Sequence, residues 1–135
     1  MSPMDKSFYL LIAGSRYATH KMQAYTQRVV RRTHQLGWTI LVGDNPLGVD
    51  IAVVRECHRL RAKVIVAGVA NFPRNGGCKQ GEYVKVERDL YRSAGGGLLS
   101  GYAVRDRWMV DNCQRAIFIW NGESPGTKAG YDYAL

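Results

Sequence analysis

The run Phe8-Tyr9-Leu10-Leu11-Ile12-Ala13, followed at once by Gly14-Ser15-Arg16, sets the architecture. Continuous apolarity leaves neither face for water, so the run reads as a strand buried on both sides, typical of a central parallel strand. Gly14 ends it, and Thr19 offers an N-cap for a following helix. There Met22, Tyr25, Val29, Thr33 and Leu36 recur at three- and four-residue steps and predict the inward face. Lys21, Arg28, Arg31, Arg32 and Gln35 fall on the opposite face, and Gly37 supplies a left-handed stop.

The alternation continues outward from this unit. Thr39–Val42 predicts a second strand ending at Gly43, and a helix follows from about Val49 to Arg61 with Val53, Cys57 and Leu60 inward. Lys63–Ala67 predicts a third strand. Residues 71–81, with Pro73, Gly76, Gly77 and Gly81, read as a loop. Tyr83 to Arg92 is a helix candidate of poor periodicity, broken by Gly95-Gly96-Gly97. Ala103–Cys113 is a better helix, Arg115–Trp120 a fourth strand, 121–126 a turn-rich loop, and a last helix begins near Thr127. Strands alternating with helices predict an α/β fold, a Rossmann-like three-layer α/β/α arrangement with a mostly parallel sheet, residues 1–135 forming one domain.

Composition narrows the function classes. The 135 residues are 46% hydrophobic and 22% charged, too apolar for a disordered chain. No apolar run approaches the ~20 residues that span a bilayer, so no membrane partner is expected. One Lys precedes the first apolar run and no small-residue cleavage site follows it, so no signal peptide is expected. Cys57, Cys78 and Cys113 form no CxxC pair and no zinc-spaced set with a histidine. The expectation is a reduced cytoplasmic setting with no metal and no cofactor. His20, His34 and His58 sit among polar helical residues and read as solvated. The net charge of +8 favours anionic partners: nucleic acid, nucleotides or an anionic surface.

In a parallel sheet the strand C-termini share one edge, where ligands bind at the point of strand-order reversal. Three loops converge there: Gly14-Ser15-Arg16, Gly43-Asp44-Asn45-Pro46-Leu47-Gly48-Val49-Asp50, and Asn121-Gly122-Glu123-Ser124-Pro125-Gly126-Thr127. Glycines let backbone N–H groups approach oxygens, and each loop leads into a helix N-terminus. Ser15, Ser124 and Thr127 add hydroxyls, and Arg16 adds a fork of charged donors. Each loop alone is an ordinary strand–helix connection; the three together with Arg16 predict an anion site. None matches GxxxxGK[ST] or GxGxxG. On periodicity alone, Arg105 and Asp106 read as a surface ion pair beside core Met109 and inert Cys113.

The order of these motifs, with Gly101-xxx-Arg105-Asp106-xx-Met109 ahead of the fourth strand and Ser124-Pro125-Gly126-Thr127 after it, resembles the SLOG superfamily over most of the chain, from Phe8 to about Ala134. That group includes YspA-like and YpsA-related proteins, the LOG nucleotide phosphoribohydrolases and the DNA-processing protein DprA; the pattern is most similar to the small YspA-like branch. The resemblance implies a nucleotide or nucleotide-derived ligand. Gly14, Ser15 and Arg16 would line one wall, Gly43, Gly48 and Asp50 a second, with Asp44 and Gly122 in the same loops. Ser124, Gly126 and Thr127 would hold phosphate, and Arg105 would face the pocket. It also implies self-association, as a homo-oligomer such as a dimer. Three departures stand out. Asp106 replaces the usual Asn, Gly43-Asp44 replaces a Gly-Gly, and the hydrolytic Glu of the LOG motif is Gly130 here. The leading expectation is a ligand binder, acting as a sensor or a nucleotide-processing protein. The alternatives are a nucleoside monophosphate N-glycosidase, with Arg105 and one of Asp50, Asp106 or Glu123 acting at ribose C1, and a DprA-like single-stranded nucleic-acid binder using Arg28, Arg31 and Arg32.

Overall fold

The computed structural model describes residues 8–93 and 95–135; residues 1–7, which bear on the leader reading, lie outside them. Strands β1 (Tyr9–Gly14), β2 (Thr39–Gly43), β3 (Val64–Gly68), β4 (Glu82–Lys85) and β5 (Arg115–Ile119) alternate with helices α1 (His20–Gln35), α2 (Gly48–Leu60), α3 (Gly101–Asp111) and α4 (Pro125–Ala134), with no helix between β3 and β4. The strands form one sheet in the order β4-β3-β2-β1-β5, and every pairing is parallel. This is a Rossmann-like α/β fold. No helix among the described residues is long and apolar enough to cross a membrane.

The pleat sends successive side chains to opposite faces, and each face finds a separate core. Leu10, Ile12, Ile40, Val42, Val64 and Val66 pack with Val30 of α1 and with Val49, Val53 and Cys57 of α2. Leu11, Leu41, Ile65 and Ala67 pack with Val104 and Met109 of α3, and Phe118 joins them. Phe118 also meets Tyr131 of α4 edge-to-face, with ring centroids 5.6 Å apart. Helices therefore cover both faces, as the unbroken apolar strands require.

Two expectations are corrected. The candidate helix at Tyr83–Arg92 is absent: Glu82–Lys85 forms edge strand β4, with Ile65 opposite Glu82 and Ala67 opposite Val84. β-branched Val84 and Val86 favour the extended chain, and β3 gains hydrogen-bond partners for its open edge. The inward face of α1 is corrected in part: Met22, Val29 and Thr33 take the core side as expected, but Tyr25 and Leu36 do not. Thr26, Val30 and Thr33 are buried, whereas Tyr25 and Leu36 are each 44% exposed. The threonines occupy the core because their hydroxyls donate back along the helix, Thr26 to the Met22 carbonyl (2.8 Å) and Thr33 to the Val29 carbonyl (2.7 Å).

Strands β2, β3 and β4 lie successively to one side of β1, and β5 lies to the other. Strand order thus reverses between β1 and β5, and a crevice opens beyond their carboxyl ends.

Candidate functional site

A cavity of about 440 Å³ lies at that edge. Gly14 and Arg16 line it from the first loop, Asn45 and Asp50 from the second, and Asn121, Glu123, Ser124, Pro125, Gly126 and Thr127 from the last. Arg74, between β3 and β4, and Tyr102, Arg105, Asp106 and Met109 of α3 complete the walls. Of the residues singled out in the sequence, Gly14, Arg16, Asp50, Arg105, Asp106, Glu123, Ser124, Gly126 and Thr127 meet around one space. Ser15, Gly43, Asp44, Gly48 and Gly122 do not line it.

Most of those five shape the walls from behind. Ser15 is fully buried and ties three loops together. Its hydroxyl accepts the Asn121 N–H at 2.9 Å, its carbonyl accepts the Val49 N–H at 3.0 Å, and its N–H donates to the Ile119 carbonyl at 3.0 Å. Gly48, at φ +70°, lies so close to the first loop that a Cβ there would fall 2.1 Å from the Ser15 carbonyl oxygen. A Cβ on Gly43 would meet Asp50 Oδ2 at 2.6 Å and Arg105 Cζ at 3.1 Å, so the bare strand end is what lets those side chains cross it. Gly122 takes φ +88° at the last turn.

Asp44 organises the charges. Its Oδ1 accepts from Arg105 Nη1 (2.8 Å) and from Arg74 Nη2 (3.1 Å), and its Oδ2 accepts the Arg74 backbone N–H (3.0 Å). Arg105 turns Nε and Nη2 to Asp106 Oδ1 at 3.1 and 3.0 Å. This corrects the surface ion-pair reading: Arg105 is buried beneath the cavity between two carboxylates. Tyr102 caps the group, its ring centroid 4.2 Å from the Arg74 guanidinium carbon and 5.2 Å from that of Arg105.

The same packing sets the protonation states. Burial raises the Asp44 carboxyl, but the Arg74 hydrogen bonds and the charges of Arg74 and Arg105 outweigh it and hold the group below its usual range. Burial lowers the Arg105 pKa, but Asp106, Asp50 and Asp44 outweigh that, and the guanidinium stays charged. For Asp106, burial wins over the Arg105 charge and bond and raises the carboxyl. Asp50 is pushed up to about 6, first by burial and then by Asp106 and Asp44, against the Arg105 charge and the Asn45 N–H at 3.2 Å. A carboxyl raised from 3.8 to about 6 destabilises the folded state once ionised. The native state binds this proton more tightly, so stability falls as pH rises through about 6. Asp50→Asn, which resembles the neutral acid, is expected to raise the unfolding free energy by about 3 kcal/mol at pH 8, the gain halving by about pH 5. Chemical denaturation at both pH values measures this; an equal effect at both would show a solvated carboxylate.

The last loop is built around Asn121. Its Oδ1 accepts the N–H groups of Glu123 (2.9 Å) and Ser124 (3.1 Å), and Trp120 Nε1 donates to the Ser124 carbonyl at 2.9 Å. This fixes the entry into α4, which begins with Pro125, a residue with no N–H to satisfy. Ser124 stands at the N-cap without a side-chain bond to the helix N–H groups, its hydroxyl donating instead to Asn121 Oδ1 at 3.3 Å, and the first turn carries no acidic residue. Among the described residues no acceptor meets the N–H groups of Gly126 and Thr127. A Cβ on Gly126 would find nothing within 4 Å. Gly130 also lines the cavity, where a Cβ would sit 3.3 Å from the Phe118 ring.

Sequence reading missed Arg74, Tyr102, Asn45 and Asn121. The spacing Asn121-x-x-Ser124 after a strand is an Asx-turn signal that could have been read. Arg74 lies in an irregular segment with no periodicity to place it.

No protein-family model matches the chain, and no curated protein matches it in sequence. Among solved structures, its fold is similar to that of a molybdenum cofactor binding protein from Rippkaea orientalis, with a TM-score of 0.70 and 14% identity over 96% of this chain and 71% of that one. The molybdenum cofactor carrier protein of Chlamydomonas reinhardtii matches with the same figures. DNA processing protein A of Helicobacter pylori, a single-stranded DNA binder, matches with a TM-score of 0.68 and 19% identity over 99% of this chain and 63% of that one. At these identities the likeness is one of fold.

Proposed function

We propose that this chain is a SLOG-type protein that binds a nucleotide or nucleotide-derived ligand at the carboxyl edge of its sheet, as a sensor or a nucleotide-processing protein. One observation carries the reading. The α4 N-terminus faces the cavity with the Gly126 and Thr127 N–H groups unmet, no acidic residue in its first turn, and open space where a Gly126 side chain would stand. Unpaired N–H groups and a positive dipole end suit a phosphate. Arg16 lines the same space and adds charge. Fold neighbours that bind the molybdenum cofactor or single-stranded DNA support ligand binding in general.

The test is calorimetric titration with nucleoside 5′-monophosphates and ribose 5-phosphate, alongside melting temperatures. Gly126→Leu is expected to fill the phosphate position and remove most of the affinity without lowering the melting temperature, because nothing lies within 4 Å of its Cβ. Thr127→Ala is expected to cost about 1–3 kcal/mol of binding, the value of a hydrogen bond to a charged group. Unchanged affinity in a folded Gly126→Leu protein rules the reading out.

A nucleotide N-glycosidase is the second reading. It is favoured by Asp50, a buried cavity-lining carboxyl raised to about 6 and so able to carry or take a proton near neutrality. Release of free base from the same monophosphates separates turnover from binding. The nucleic-acid reading has no such support from α1: Arg31 lies 3.8 Å from Glu56, and Arg28 sits over Tyr25. A cytoplasmic setting and self-association remain parts of the proposal. Three free thiols support the first; the second is supported by edge strand β5 and the adjoining groove, lined by Leu10, Val29, Leu36, Trp38 and Ile117.

A further inference from the structure

The cavity has two chemically different ends. Helix α4 packs over β5, whereas α3, which carries Asp106, packs over β2 and β3. Strand β1 lies between β5 and β2, so α4 and α3 stand over strands two inter-strand spacings, about 10 Å, apart. One end offers donors, from the α4 N-terminus and Arg16, with Glu123 beside them. The other offers the free carboxylate oxygens of Asp106 and Asp50, with Arg74 beside them.

At that second end, both Arg105 bonds to Asp106 fall on Oδ1, and the Asp106 side chain is 27% exposed at the cavity wall. No hydrogen bond reaches Asp106 Oδ2 or Asp50 Oδ1 among the described residues. Asp50 is nonetheless only 6% exposed and lines the cavity. An ionised carboxylate accepts and cannot donate. Beside these acceptors stands the Tyr102 ring, 43% exposed and backed by Arg74, a platform for a flat heterocycle. An amide at this position would offer one donor and one acceptor, whereas the carboxylate, with Oδ2 free, offers acceptors only and asks for donors.

We infer that Asp106 reads a ring edge with an N–H next to an exocyclic amino group, so that the ligand is a phosphorylated 2-amino-4-oxopyrimidine heterocycle. The inference rests on the nucleotide reading above. Guanine and pterin rings share this edge. Adenine presents a ring acceptor beside its amino group, hypoxanthine lacks the amino group, and xanthine puts a carbonyl in its place. Each leaves a buried acceptor unpaired or facing a like lone pair, and a site built on hydrogen bonds rejects such ligands strongly.

The experiment is titration of the full chain at pH 7.5 with GMP, IMP, AMP, XMP and dihydroneopterin monophosphate, repeated with Asp106→Asn and Gly126→Leu. GMP or the pterin phosphate is expected to bind at least 10-fold more tightly than IMP and AMP; whichever binds more tightly identifies the source of the ring. Asp106→Asn is expected to lose at least 10-fold for the preferred ligand and to gain affinity for XMP, with Gly126→Leu weakening all five. AMP binding as tightly as both GMP and the pterin phosphate, with Gly126→Leu still abolishing it, overturns the ring assignment and leaves the nucleotide reading standing. A preference that Asp106→Asn leaves unchanged also overturns it. If none of the five binds, the ring assignment fails while the nucleotide reading is decided by the wider titration above; if Gly126→Leu binds as the unmodified chain does, the nucleotide reading itself fails and takes the inference with it. The five-ligand comparison on the unmodified chain stands whether or not the Asp106 variant folds.

Discussion

Replacing Asp44 with alanine is expected to lower the unfolding free energy by about 3–5 kcal/mol, the cost of removing one partner from a buried ion network. Asp44 is fully buried and accepts from the guanidinium groups of both Arg74 and Arg105 and from the Arg74 backbone N–H. Without it, Arg105 remains buried with one hydrogen-bonding carboxylate where it had two. Arg74, whose side chain is 31% exposed, can turn outward and loses less. The Asp44 carboxyl is held below its usual range, so its contribution is present above the unfolded pKa of about 3.8 and is lost as pH falls below it. Urea unfolding of Asp44→Ala at pH 7 measures the loss. The double variant Asp44→Ala/Arg105→Met is expected to recover part of it, because the stranded charge has gone. A loss under about 1 kcal/mol would show that the network contributes only what a surface pair does.

The strands were legible because burial on both faces leaves a plain trace. Phe8–Ala13, Thr39–Val42, Lys63–Ala67 and Arg115–Trp120 each match an observed strand to within a residue or two, and all pair in parallel. Where burial is partial, the trace fades. Glu82–Lys85 is an edge strand with no fully buried residue, and its four residues carry too little pattern to separate strand from helix. The α1 face was legible in part for a related reason: Met22, Val29 and Thr33 take the core side, but apolarity also marked Tyr25 and Leu36, where the core took Thr26 and Val30. The hydroxyls of Thr26 and Thr33 bond to the preceding turn and so lose nothing by burial.

The site was legible as a place more than as a set of contacts. Parallel topology alone brought the three loops to one edge. It could not say which loop residues face the ligand space and which hold the loops together. Ser15 illustrates the limit: a serine after a strand suggests a free hydroxyl, yet its oxygen accepts the Asn121 N–H from a loop more than a hundred residues away. Arg105 illustrates the converse. Helical periodicity placed it beside Asp106 but could not reveal that Gly43 leaves room for its guanidinium over the end of β2. Such long-range contacts have no local period.

Gly48→Ala is expected to be nearly as damaging as the loss of Asp44, through the backbone and not through charge. Two costs combine. At φ +70° a residue with a Cβ pays about 1–2 kcal/mol for the left-handed conformation. The added carbon would also lie 2.1 Å from the Ser15 carbonyl oxygen and 2.5 Å from the Arg16 carbonyl carbon, so backbone must move. Forced overpacking of this kind costs about 1–3 kcal/mol more. Gly37 separates the two terms: its φ is +76° but a Cβ there meets nothing within 4 Å, so Gly37→Ala carries only the conformational cost. The expected losses are about 2–5 kcal/mol at Gly48 and about 1–2 kcal/mol at Gly37. Equal losses at the two positions would show that the loops part freely. The functional consequence follows from the same contacts. Separating α2 from the first loop breaks the Val49 N–H bond to Ser15, and Ser15 is also the residue whose hydroxyl holds Asn121. Asn121 in turn sets the start of α4 through Glu123 and Ser124. A Gly48→Ala protein that is still folded at low temperature is therefore expected to bind phosphate-bearing ligands more weakly, although Gly48 lies outside the cavity.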